Sequence, residues 1–286
     1  WYLSANLGDE KNLEGHLLPG LDPKGVPENL RNTVFPFSYN NIEELIELIT
    51  TEDIGVIKME VARNADPEKE FLRKVRKLAS DKNIVLIFDE CTSGFRQSFG
   101  GLHKVYDVEP DMAVFGKTLG NGYAITATIG KRDIMEFAQS TFISSTFWTE
   151  RIGPTAGLKT LEVMEREKSW EKITQTGRNI GERWQSLARK YDLPVEIYGL
   201  PALIGFRLLL PGMLKYKTLI SQEMLKKGFL AETRIYICTE HTSSLVDQYF
   251  ESLDPIFSLI KECETGRSID ALLEGPVCHT GFKRLN

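Results

Sequence analysis

The stretch Ile84–Phe88, IVLIF, constrains this chain more than any other. Every position is apolar, three of the five residues are β-branched, and the run is too short for most helices. Such a run reads as a strand buried on both faces of a sheet. The segment Pro67–Asn83 leads into it. There Phe71, Leu72, Val75 and Leu78 share one face with charges opposite, which predicts an amphipathic helix. Further short apolar runs lie at Ile54–Met59, Met112–Phe115 and Ala124–Ile129. Asn41–Thr50 has helical spacing, with Asn41 placed to cap it. Short strands alternating with helical segments predict an α/β layer with a largely parallel sheet.

Residues 1–40 are broken by glycine and proline and read as an irregular entry segment. From about Gly153 the pattern changes. Helical stretches follow at Gly153–Lys168, Glu171–Tyr191, Tyr216–Lys227 and Ser243–Glu262, with strand-like pieces at Ile204–Leu210 and Tyr236–Cys238. These predict a second, smaller α+β domain, and the tail after Gly266 is expected to be loose or to pack on the surface. A chain of 286 residues accommodates one large and one small domain.

Composition narrows the partners. Lys+Arg number 35 against 40 Asp+Glu, so there is no basic excess for nucleic-acid phosphates, and no nucleic acid is expected. No apolar run approaches the roughly 18 residues of a membrane span, and no membrane partner is expected. The four cysteines are scattered with no CxxC pair, which fits a reducing, cytoplasmic setting without a disulfide scaffold or zinc. The histidines (His16, His103, His241, His279) show no metal-ligand spacing, and no metal is expected; His103 and His241 read as structural or surface residues.

Three features are candidates for chemistry. Asp89-Glu90 closes the IVLIF strand, at the end where open α/β sheets place ligands; a turn or N-cap carboxylate is the competing reading. Lys117 follows another strand in DMAVFGKTLGNGY. A lone lysine there is usually a solvated charge, but its glycine and apolar neighbours favour a confined amine. A desolvated amine sheds its proton and can form a Schiff base. The hydroxyl cluster Ser144, Ser145, Thr146 and Thr149 suits either a phosphate or a helix cap.

In order and spacing, these residues resemble the class III aminotransferases that depend on pyridoxal phosphate, nearest to the glutamate-1-semialdehyde aminomutase branch. LIFDECTSGFR (86–96), EPDMAVFGKTLGNGYAITATIGKRDIME (109–136) and STFWTERIGPTAGLKTLEVME (145–165) carry the likeness. The resemblance implies a fold type I, aspartate aminotransferase-like large domain over 1–157, with a mainly parallel sheet, incomplete at its N-terminus. A small C-terminal α+β domain would occupy 158–286.

Lys117 would be the Schiff-base lysine. Asp89 would pair with the pyridine nitrogen and keep the ring an electron sink. Cys91 would lie against the ring face, where the family has an apolar side chain. Thr146 would reach the cofactor phosphate of a neighbouring subunit, implying a homodimer with composite sites. Glu60 matches the acid of a family Glu-Pro pair, with Val61 in place of the proline, and Asn121 stands where many relatives have glycine. Arg96 reads as structural, and neither it nor Arg151 is assigned to a substrate carboxylate.

The family's N-terminal phosphate loop and ring-covering aromatic are not recognisable, so a fragment or one piece of a split protein is expected. The implied function is transfer of an amino group between small amino and carbonyl compounds with pyridoxal 5'-phosphate. A non-catalytic or split-enzyme module, and a racemase or epimerase using the same lysine, are the other readings.

Overall fold

The computed structural model describes residues 2–13, 21–62 and 64–279. The chain divides into two compact units, residues 1–55 with 278–286, and residues 56–277. In the first unit, the irregular entry segment forms short 3-10 turns at Tyr2–Leu7, Glu10–Leu13 and Glu28–Leu30. Helix α1 (Ile42–Thr51) follows, and Asn41 caps it as expected: its side-chain oxygen accepts from the Glu44 N–H at 3.2 Å.

The second unit begins with β1 (Val56–Glu60), α2 (Phe71–Asp81), β2 (Val85–Asp89), β3 (Met112–Phe115) and β4 (Ala127–Gly130). The strands lie in the order β1-β2-β3-β4. β1, β2 and β3 are parallel, whereas β4 runs antiparallel to β3. Residues 116–126 are too few for the helical crossover that a parallel return requires.

The IVLIF run departs from expectation in one respect. Leu86 and Phe88 are fully buried, but Val85, Ile87 and Asp89 on the opposite face are only half-buried. The buried face meets α2, whose Phe71, Leu72, Val75 and Ala79 are buried in turn.

Asp111 ties this layer together. Its carboxylate accepts from the Leu86 N–H at 2.7 Å, from Arg76 at 2.8 Å and from Lys131 at 2.7 Å. Burial alone would raise its pKa, but the Leu86 N–H and the two cations outweigh that and hold it below the ordinary 3.8. The sign follows from a depressed folded value. The stabilisation is complete above the unfolded pKa and is lost as pH falls through the lower folded one. Asp111→Asn is therefore expected to flatten the acid limb of a pH-dependent urea titration below about pH 4, and an unchanged limb would refute the assignment.

The remaining elements are α3 (Arg132–Met135), α4 (Ile152–Glu167), α5 (Ser169–Lys190), β5 (Val195–Tyr198), β6 (Gly205–Leu208), α6 (Met213–Lys226) and α7 (Ser243–Glu264). β5, unforeseen in the sequence, pairs antiparallel with β6. The expected strand at Tyr236–Cys238 does not form. Ile235 and Ile237 instead donate at 2.9 Å to the carbonyls of Ile204 and Ala202. That neighbouring stretch includes the 3-10 turn Pro201–Leu203, which cannot extend a ladder.

After Gly266 the chain packs on the surface: Ile269, Leu272 and Leu273 lie against the core formed by α5, α6, α7 and the β5-β6 pair. Gly177 lets α5 approach the Pro201 turn. A Cβ there would lie 1.8 Å from the Pro201 carbonyl oxygen, and neither backbone can yield cheaply. Gly177→Ala is expected to cost about 2–3 kcal/mol in a urea melt.

Candidate active site

Strand alternation sorts the Asp-Glu pair. Glu90 points inward and is fully buried. It bonds Ser93 and accepts at 3.0 Å from the His103 N–H, with His103 Nδ1 at 2.9 Å, so it fixes the turn after β2. Asp89 projects to the half-buried face. Its Oδ2 pairs with Lys58 Nζ at 2.7 Å, and its Oδ1 accepts from the Cys91 N–H at 3.1 Å. Burial pushes the Asp89 pKa upward, but the Lys58 ammonium and the Cys91 N–H prevail and hold it below the usual carboxylate value, so it is an anion at neutral pH. Glu60 ends β1 opposite Asp89 in the register and shares its face.

Lys117 enters from the next strand. Phe115 closes β3, Gly116 is extended, and Lys117 takes φ 44°, a left-handed backbone rare outside glycine. Such strain costs about 1–3 kcal/mol and persists where the surroundings enforce it. Here the Lys117 carbonyl accepts from the N–H groups of Gly120 and Asn121, closing a tight turn. The amine donates to Thr92 Oγ1 at 2.8 Å.

Cys91 links the two strand ends. A Cβ on Gly116 would lie 3.4 Å from its sulfur. Its thiol pKa is raised, by burial and by the Asp89 charge, with Lys117 acting in the opposite sense. Asp89, Cys91 and Lys117 thus form one electrostatic locality.

A cavity of about 650 Å³ opens beside Lys117, bordered also by Thr118, Tyr123, Arg96, Tyr236 and Cys238. The Thr118 hydroxyl is shielded from water without a hydrogen-bond partner among the described residues. Thr146 lies on an exposed segment and makes no hydrogen bond to this cluster among the described residues.

A family model, "Aminotransferase class-III", matches residues 61–244, more than half of the chain and the whole of the Asp89–Lys117 locality. The chain belongs to that family. Among class-III relatives, a 3-aminobutyryl-CoA aminotransferase of Cloacimonas acidaminovorans is 31% identical over 83% of this chain and 61% of its own length. A glutamate-1-semialdehyde 2,1-aminomutase of Hyperthermus butylicus is 28% identical over 83% of the chain and 61% of its own. This class-III chain therefore spans about three-fifths of the length of the curated relatives it matches.

The fold is shared with the Sphingopyxis FumI protein, solved with PLP (TM-score 0.79, 20% identity, 87% of this chain and 63% of that one). It is also shared with an omega-transaminase from Sphaerobacter thermophilus (TM-score 0.74, 18% identity, 84% and 62%). The fold type I α/β reading stands on these likenesses.

The sequence reading of this class-III chain missed two residues that bond to the locality. Lys58 lies two residues before Glu60 on β1, so strand alternation alone would have put both on one face with Asp89. Thr92 carried no such signal: a threonine three residues past a strand-end acid is common, and only the turn after β2 brings it to Lys117.

Proposed function

We propose that the protein transfers amino groups between small amino and carbonyl compounds with pyridoxal 5'-phosphate, as a class-III aminotransferase or aminomutase. One observation carries this: Lys117 borders a cavity while an ionised Asp89 ends the adjacent strand. The residues present fit the cofactor. Lys117 would attach its aldehyde, Asp89 would face the pyridine nitrogen, Cys91 would lie against the ring, and the partnerless Thr118 hydroxyl offers a bond to a bound group. When bound, the cofactor supplies an electron sink.

The protein's own residues supply the rest. Asp89 holds a negative charge in place, with Lys58 behind it. Lys117 Nζ carries a proton to and from the reacting carbon, and Thr92 Oγ1 orients that amine. The raised Cys91 pKa keeps its thiol neutral, so it acts as a weakly polar contact.

The wider architecture follows the same reading. Residues 1–157 would belong to the large domain, with Glu60 near the cofactor, and 158–286 to the small one; the core cluster spanning residues 173–273 supports the second assignment. A homodimer with composite sites is supported by Phe137, Phe142, Phe147, Trp148 and Ile152, large apolar side chains all exposed around Thr146. Thr146 would then reach a partner's cofactor phosphate. The four free cysteines suit the cytoplasm, and no described helix is long and apolar enough to cross a membrane.

Treating the protein with pyridoxal phosphate and then borohydride, followed by peptide mapping, is expected to label Lys117 alone. A label on other lysines only, or none, ends the reading.

A further inference from the structure

Both oxygens of Asp89 are engaged by the protein's own groups. Oδ1 accepts from the Cys91 N–H at 3.1 Å, and Oδ2 meets Lys58 Nζ at 2.7 Å. An ionised carboxylate has room for about four donors, so a donor from outside the chain can still bond to Asp89, but it shares an oxygen with one of these two. The Lys58 contact is the charged one. The side chains of Lys58 and Asp89 are 35% and 23% exposed, so water screens the pair only in part.

The strand ladder does not by itself impose this pairing. Lys58 stands opposite Ile87 in the register of β1 and β2, and Glu60 stands opposite Asp89. Alternation puts Lys58, Glu60 and Asp89 on one face, where two carboxylates end neighbouring strands. Lys58 reaches forward along that face to the second of them. It cannot turn to the other face without bringing out Ile57 and Met59, which are buried there. Two further titratable groups adjoin Asp89: Cys91, on the turn after β2, and Lys117, after β3, whose amine bonds Thr92.

A carboxylate favours a proton on a nitrogen beside it, and a cation bonded to the same carboxylate opposes that proton. We propose that Lys58 is a positioning residue for the cofactor ring: it shares Asp89 with the ring nitrogen and so limits how firmly the site holds a proton there. The strength of the electron sink is then set by a lysine on β1 as well as by Asp89. The inference deepens the amino-transfer reading and rests on it for the ring that Asp89 faces.

Pyridoxine 5'-phosphate tests this without turnover, because it carries the pyridine ring and phosphate but no aldehyde to condense with Lys117. Its ring nitrogen is titrated by nitrogen NMR while bound to the full chain, and the Asp89 carboxyl is titrated by carbon NMR in the protein alone. Lys58→Met keeps the length of the side chain and removes the charge; Lys58→Arg keeps the charge. In Lys58→Met the bound ring is expected to hold its proton with about tenfold or more higher affinity than in wild type, and the Asp89 carboxyl to titrate at higher pH. Lys58→Arg is expected to behave as wild type in both titrations.

A ring titration equal in wild type and Lys58→Met, or lower in the variant, overturns the proposal. So does a shift confined to the Asp89 carboxyl, which would make the ion pair structural only. Failure of wild type to bind pyridoxine 5'-phosphate at millimolar concentration, or a Lys58→Arg result matching Lys58→Met, also counts against it. If Lys58→Met fails to fold, Lys58→Gln, uncharged and still able to bond Asp89, decides by the same criteria. The two readings fail separately. Borohydride label on Lys117 with a ring titration indifferent to Lys58 removes only the positioning role. A ring titration that depends on Lys58, without label on Lys117, removes only the amino-transfer assignment.

Discussion

Lys117→Ala is expected to abolish covalent retention of pyridoxal phosphate after borohydride and to lower the rate of amino transfer by at least about 10³-fold. Two losses combine. On the proposed function the amine would be the attachment point for the cofactor aldehyde and would also move the proton at the reacting carbon. Lys117→Arg separates charge from nucleophilicity. It keeps a cation near Thr92 but offers no amine that can condense, so it is expected to be as inactive as the alanine variant. Retention of cofactor on Lys117→Ala, or activity in Lys117→Arg above a tenth of wild type, would show that another amine does the work. Neither variant should unfold the protein, because the side chain contributes one hydrogen bond, to Thr92, and its backbone is already strained at φ 44°.

The largest effect on stability is expected at Trp184. Its indole is fully buried in α5, stacks obliquely on Phe206 with ring centres 4.8 Å apart, and donates from Nε1 to the Tyr249 hydroxyl at 3.1 Å. It thereby joins α5, β6 and α7. Trp184→Ala should cost about 3–5 kcal/mol, from lost burial and the cavity left behind. It also strips the buried Tyr249 hydroxyl of a donor, and burial already holds that phenol well above its ordinary pKa. Against a total stability of about 5–15 kcal/mol, this should move the urea midpoint sharply downward. Trp184→Phe, which keeps most of the apolar volume, should lose less than half as much. A shift below 1 kcal/mol for the alanine variant would mean that this cluster does not hold the three elements together.

Legibility tracked the range of the interactions. The helices were readable because amphipathic periodicity and the Asn41 cap are local. That Asp89 and Lys117 follow neighbouring parallel strands was readable, because parallel strands deliver their carboxyl ends to one edge. The one-faced burial of IVLIF was not, since composition cannot tell which face a neighbour will cover. β5 was missed because VEIY becomes a strand only once Phe206 and its neighbours lie beside it. Tyr236–Cys238 failed as a strand for the converse reason: its neighbour is a turn.

Residue identity alone thus determined the α/β alternation and the family to which the order of its motifs points. Tertiary structure decided everything that depends on direction in space. It turned Glu90 inward and Asp89 outward, set Lys58 against Asp89, and hung the Lys117 amine on Thr92. The physical reason is that hydrogen bonds and ion pairs act over about 3 Å. Groups 25 or more residues apart in the chain reach that distance only when the backbone has chosen its path.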